Sequence, residues 1–145
     1  MNSFKKVLFT LLAVVTLSVA ANAQLITVMD AFHQGRHGCP ATVTAYYECG
    51  GCGSGTTAVT QVLNAGTQAI FPSSCGTPTN GWVLFFSVDY GNGPTFVDLD
   101  PCSFISNSGF DFAIDCFGIP QPFAWTTTPS IWVPGTVGNV HLDLY

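Results

Sequence analysis

Six cysteines stand at positions 39, 49, 52, 75, 102 and 116, all of them behind an N-terminal segment that reads as a secretory leader. The leader has Lys5 and Lys6, an apolar run from Val7 to Ala21, and the small-residue triplet Ala21, Asn22, Ala23. A basic start, an apolar stretch too short to span a bilayer and small side chains before the break predict a signal peptide over residues 1–23, cleaved before Gln24. An even number of cysteines after such a leader predicts three disulfides and a secreted protein, extracellular or at the cell surface, with no membrane insertion once the leader is gone.

Residues 24–145 suffice for one domain with its own core. Nowhere do apolar residues recur at three-to-four spacing over a long stretch. Instead, short β-branched and aromatic runs alternate with Gly, Asn and Pro punctuation, which predicts an all-β chain. The expected strands are 25–32, 41–48, 56–63, 68–71, 82–90, 95–100, 110–116, 122–126, 131–133 and 139–144. The triplets Asn64-Ala65-Gly66, Asn92-Gly93-Pro94 and Asn107-Ser108-Gly109, with Asn80-Gly81, supply the turn chemistry between them. So many short strands in one domain bury a core by packing sheet on sheet, and an immunoglobulin-like antiparallel β-sandwich stapled by disulfides is the expected architecture.

Strand geometry narrows the disulfides. If residues 41–48 are extended at ~3.3 Å each, Cys39 and Cys49 are about 30 Å apart and cannot pair. Following the strands up and down places Cys39 and Cys116 at one end and Cys49, Cys52, Cys75 and Cys102 at the other. Cys39 with Cys116 is the expected bond, and a local Cys102–Cys116 bridge is its competitor. The remaining pairs join the Cys49/Cys52 couple to Cys75/Cys102 in an order left open.

Both lysines lie in the leader, so residues 24–145 keep a single basic side chain, Arg36, against all eight acids. Without a basic patch such a surface cannot neutralise phosphates, and nucleic acid is excluded as a partner.

The residues with chemical potential each have a plainer reading. Cys49-Gly50-Gly51-Cys52 has redox spacing, but no helix N-terminus follows to lower a thiol pKa, so structural disulfides are expected. His33, His37, Cys39, Cys49 and Cys52 offer zinc-ligand types, yet zinc needs free thiolates that an oxidising compartment removes; the two histidines are expected in a solvated, flexible segment. Asp98 and Asp100, with Asp89 and Asn92, could face a calcium ion, but match no dedicated loop. Ser54 lacks a nucleophile elbow, and His141 with Asp143 stands on an ordinary last strand. No metal, cofactor or enzymatic activity is expected. Trp82, Trp125 and Trp132 could contact a glycan, an alternative role as a secreted carbohydrate-binding or adhesive module.

The absence of lysine leaves the sheet edges without the usual deterrent to pairing. The first mature segment offers Leu25, Ile26, Val28, Met29 and Phe32 as an apolar strand joined to Cys39 by polar residues. This layout of an apolar leading strand and linker (24–38), then a cysteine-bearing sandwich (39–145) closed by a strand with Val140, Leu142 and Leu144, resembles small secreted bacterial Ig-like subunits. Those assemble into fibrils or pili by donor-strand exchange. The resemblance implies a non-enzymatic structural protein whose main partner is itself, with those five residues inserting into a neighbouring subunit.

Overall fold

The structure is a computed structural model that describes residues 26–49, 55–73, 75, 81–99, 108–128 and 137–145. Among these the chain is all-β, with nine strands and no helix. They are β1 (Ile26–His33), β2 (Ala41–Cys49), β3 (Thr56–Leu63), β4 (Gln68–Phe71), β5 (Gly81–Asp89), β6 (Thr95–Asp98), β7 (Ser108–Ile114), β8 (Pro120–Thr128) and β9 (Val137–Leu144). Each expected strand among the described residues overlaps one of these; Asn64-Ala65-Gly66 and Asn92-Gly93-Pro94 lie between strands, whereas Gly81 and Ser108-Gly109, expected in turns, open β5 and β7. The turn between β3 and β4 needs Gly66 at φ +77°, and Gly35 packs so close to it that a Cβ there would meet the Ala65 Cβ at 2.8 Å. Residues 131–133, expected as a strand, lie outside the described residues.

A five-stranded sheet runs β4-β1-β9-β8-β7 and a four-stranded sheet runs β3-β2-β5-β6. All pairings are antiparallel except that of the first and last strands. β1 lies parallel to β9, from Ile26 opposite Val137 to His33 opposite Leu144, and antiparallel to β4, with Met29 opposite Phe71. The leading strand therefore sits between two strands of its own sheet. The polar residues after it are anchored as well: His33 N–H donates to Thr67 O, Gln34 N–H to Leu144 O, and Gly66 N–H to His33 O.

The core lies between the sheets and follows the period of two along each strand. Met29 and Ala31 of β1, Phe71 of β4, Phe123 of β8 and Val140, Leu142 and Leu144 of β9 face Val43, Ala45 and Tyr47 of β2 and Phe86 and Val88 of β5. A register shift between Tyr46 and Tyr47 twists β2, and the Tyr47 hydroxyl crosses the core to donate to the Phe71 carbonyl of the opposite sheet.

Two disulfides fasten the sheets at the two ends of β2. Cys39, just before β2, bonds Cys116, just after β7; Cys49, the last residue of β2, bonds Cys75 beyond β4. The first is the bond that strand geometry favours, and it excludes a Cys102–Cys116 bridge. The second joins members of the two couples expected to pair. Cys52 and Cys102 lie outside the described residues. Two disulfides are compatible with an extracellular location. Among the described residues no helix is long and apolar enough to cross a membrane.

Candidate functional site

The residues singled out in the sequence divide sharply by place. Of the donor set, Met29 is fully buried in the core of its own domain, whereas Phe32 lies half-buried on the opposite face of β1. Ile26 and Val28 are paired along the backbone with Val137 and Asn139, and Leu25 lies outside the described residues. Trp125 is partly exposed: its indole packs on the core, edge to face with Phe86 at 5.8 Å, and covers Gly109 so closely that a Cβ there would collide with the ring. Trp132 lies outside the described residues, as does the side chain of Trp82.

Among the described residues, the acidic set forms no group of three that could hold a cation. Asp89 Oδ1 accepts from Gly91 N–H (2.7 Å) and Gly93 N–H (3.1 Å), closing the β5–β6 turn, and the Asn92 amide donates to the Asp115 carbonyl. Asp98 stands on β6 opposite Phe85, and Asp100 lies outside the described residues. His141 does find carboxylates: Nδ1–H donates to Asp30 Oδ2 at 2.6 Å, and Nε2 lies 3.5 Å from Asp143 Oδ2. Thr126 of β8 stands directly opposite His141.

The two histidines overturn the expectation of a solvated, flexible segment. His33 is fully buried, accepting at Nδ1 from Gly35 N–H (2.9 Å), so Nε2 carries the proton and donates to the Cys39 carbonyl (3.0 Å). Burial pushes its pKa below the ordinary value against the raising effect of that carbonyl, with His37 pushing the same way. His37 packs 5.2 Å from the His33 ring and 4.6 Å, edge to face, from Tyr90. Both His37 ring nitrogens and the Tyr90 hydroxyl are buried with no hydrogen-bond partner. Desolvation drives the Tyr90 pKa upward, and nearby Asp115 adds to it.

Asp115 closes this cluster. Its Oδ1 accepts from Phe117 N–H and Ile119 N–H, both at 2.8 Å, and its Oδ2 from the Gln121 amide at 2.8 Å. Burial works to raise this carboxyl, but the bonds from Ile119, Gln121 and Phe117, together with His37, outweigh it and hold it below the ordinary value. The zinc set considered from sequence is divided by the fold, because Cys49 is bonded to Cys75.

The outer faces carry Tyr46, one of the aromatics that the sequence offers for a glycan, beside apolar side chains that sequence reasoning did not single out. On the four-stranded sheet Tyr46 and Phe85, directly opposite, stack at 4.2 Å, and exposed Phe96 lies 6.4 and 6.3 Å from the two rings. On the five-stranded sheet, edge strand β7 turns Phe110 (58% exposed), Phe112 (48%) and Ile114 (39%) to solvent, and the turn into β8 adds Phe117 (73%) and Ile119 (54%). Opposite the first three stand Ala124, Pro122 and Pro120 of β8, which continue the strip inward. The prolines are tolerated where β9 ends, with Tyr145 N–H reaching the Pro122 carbonyl. The free edge is closed at its middle: Phe112 N–H donates to Asp111 Oδ1 (2.8 Å), and the Phe112 carbonyl accepts from Thr95 Oγ1 (3.2 Å). The signal was present in Phe110, Phe112 and Ile114 alternating with Gly109, Asp111 and Ala113. Alternation names two rows and leaves open which one faces the other sheet.

Compared with known proteins, the chain matches no family model, no curated protein and no solved structure.

Proposed function

We propose that this chain is a secreted, non-enzymatic structural subunit that joins further copies of itself through the apolar strip of β7 and the β7–β8 turn. One observation carries the reading: within residues 110–119 five large apolar side chains are 39–73% exposed, on a chain with little charge to keep neighbours apart. Contiguous apolar patches of this kind mark interaction sites. Burying each of these side chains is worth on the order of 1 kcal/mol, and a symmetric contact counts each twice. Secretion is supported by the leader over residues 1–23 and by the disulfides. The immunoglobulin-like reading is supported by the two-sheet packing and the inter-sheet bonds.

Strand exchange is a second route to the same polymer. It takes β1 out from between β4 and β9 and gives that slot to a neighbour's leading strand. Cysteines placed at Asp30 and Ile70, opposite one another in β1 and β4, separate the routes. A bond within one chain keeps β1 at home; a bond between chains means exchange.

The test is sedimentation of the purified secreted chain over a range of concentrations, beside a variant with Phe110→Lys and Phe112→Lys. Wild type is expected to associate, and the variant to remain monomeric at an unchanged melting temperature. A wild type that stays monomeric at high concentration, or a variant that associates equally well, overturns the proposal.

A carbohydrate-binding role is favoured by a different observation, the Tyr46–Phe85–Phe96 group on the outer face of the four-stranded sheet. Stacked aromatic faces suit sugar C–H groups. A glycan array probed with wild type and Phe96→Ala tests it, with loss of signal in the variant expected and an array without hits counting against it.

A further inference from the structure

The cluster around the Cys39–Cys116 bond has a donor set that the disulfide alone does not use. Ligand atoms of His37, Cys39 and Asp115 lie within 4.8 Å of one another, the one such group among the described residues. Cys116 is bonded to Cys39, so its sulfur belongs to the same cluster. We propose that this disulfide has a reduced state in which Cys39, Cys116, His37 and Asp115 hold one zinc ion. Two thiolates, an imidazole and a carboxylate make a closed tetrahedral set of the kind zinc prefers in structural sites.

Three observations single out this disulfide. Both ring nitrogens of His37 are buried without a hydrogen-bond partner, so the imidazole keeps a lone pair that no hydrogen-bond donor reaches. The hydroxyl of Tyr90, a residue 1% exposed that packs edge-on against His37, is likewise unpartnered. A buried polar group normally finds a partner, and orphans gathered at one point mark a place where something binds. Asp115 Oδ2 accepts only from Gln121 and can turn a second lone pair to a metal, while Oδ1 stays held by Phe117 and Ile119. His33 is no ligand, because both its nitrogens are committed; by bonding the Cys39 carbonyl it holds that ligand's backbone in place, as outer-shell partners do.

The chemistry balances as a two-electron exchange. A dithiol or phosphine reductant delivers two electrons, the S–S bond breaks, and two protons yield two thiols. Zinc then binds the thiolates and releases those protons to solvent. A disulfide oxidant removes the two electrons, re-forms the Cys39–Cys116 bond and expels the ion.

The experiment uses the full secreted chain, treated with a trialkylphosphine, with cobalt(II) as the spectroscopic probe and zinc as competitor. The expected result is a single equivalent of cobalt showing thiolate charge-transfer and tetrahedral ligand-field bands, displaced by zinc, absent from the untreated disulfide form. His37→Gln and Asp115→Asn should each bind at least about tenfold more weakly, although every other thiol freed by reduction is unchanged. If reduction unfolds the chain, zinc should restore its near-ultraviolet dichroism in wild type and not in His37→Gln, because metal binding then supplies folding free energy. Reduced protein without these bands, equal binding by both variants, or a reduced chain that zinc does not refold would overturn the proposal.

Discussion

The outer face of the five-stranded sheet is two surfaces side by side. On β1 and β9, Asp30, His141 and Asp143 form a polar trio that suits water. On β7 and β8, Phe110, Phe112 and Ile114 stand opposite Ala124, Pro122 and Pro120, an apolar row with exposed Ser108 and Thr126 at its end. Both halves rest on the same core. Exposure of apolar area on β7 is therefore not forced by the fold, and the proposed self-contact would remove it from solvent.

The largest way to break this contrast is to unseat β7. Gly109 is covered by the Trp125 indole, as aromatic rings cover strand glycines elsewhere, so Gly109→Val must displace the ring. A loss of about 3 kcal/mol is expected in urea unfolding, together with loss of association. A next test acts on the core that both halves share. Burial raises the Tyr47 pKa to about 12 from 10.0, so the unfolded chain releases this proton first as pH rises. Stability should hold below pH 10.0 and fall by on the order of 2 kcal/mol as pH rises toward about 12. Tyr47→Phe, less stable at neutral pH, should show a shallower alkaline slope in thermal melts, Tyr90 supplying the remainder.

Smaller effects sharpen the contrast. Asp111 folds its carboxylate onto the Phe112 N–H at the free edge, the kind of charge that discourages strand pairing. Asp111→Ala should strengthen association several-fold by light scattering, a change on the order of 1 kcal/mol. The smallest response belongs to the polar half. His141→Gln breaks a pair that is partly exposed to solvent, and stability should move by less than about 1 kcal/mol with association unchanged. A large effect on assembly would move the interface to that half.

Much of this architecture could be read in the chain. Ala41 to Glu48, Thr56 to Leu63 and Gln68 to Phe71 become strands almost to the residue, because β-branched runs end at Gly, Asn and Pro. The length of β2 ruled out a Cys39–Cys49 bond, and following the strands up and down favoured the Cys39–Cys116 bond that forms. The leading strand's place was not legible. Its apolar residues fit any sheet with a vacancy, and the vacancy between β4 and β9 is made by segments dozens of residues away. Nor were the histidines: His33 and His37 stand among Gln34, Gly35 and Arg36, a local context that reads as solvent, and only the approach of Cys39, Tyr90 and Asp115 buries their rings.

The amino-acid order determined which runs become strands, and for β2, β3 and β4 where they begin and end, since turns and extended runs depend on neighbours a few residues apart. It also determined the low charge and the reach of Cys39 toward Cys116. Tertiary packing decided which row of each strand faces inward. For β7 it chose Ala113 for the core and turned Phe110, Phe112 and Ile114 outward, with Trp125 lying over Gly109. A period of two defines two faces equally well, and only the space left by the opposing sheet can choose between them.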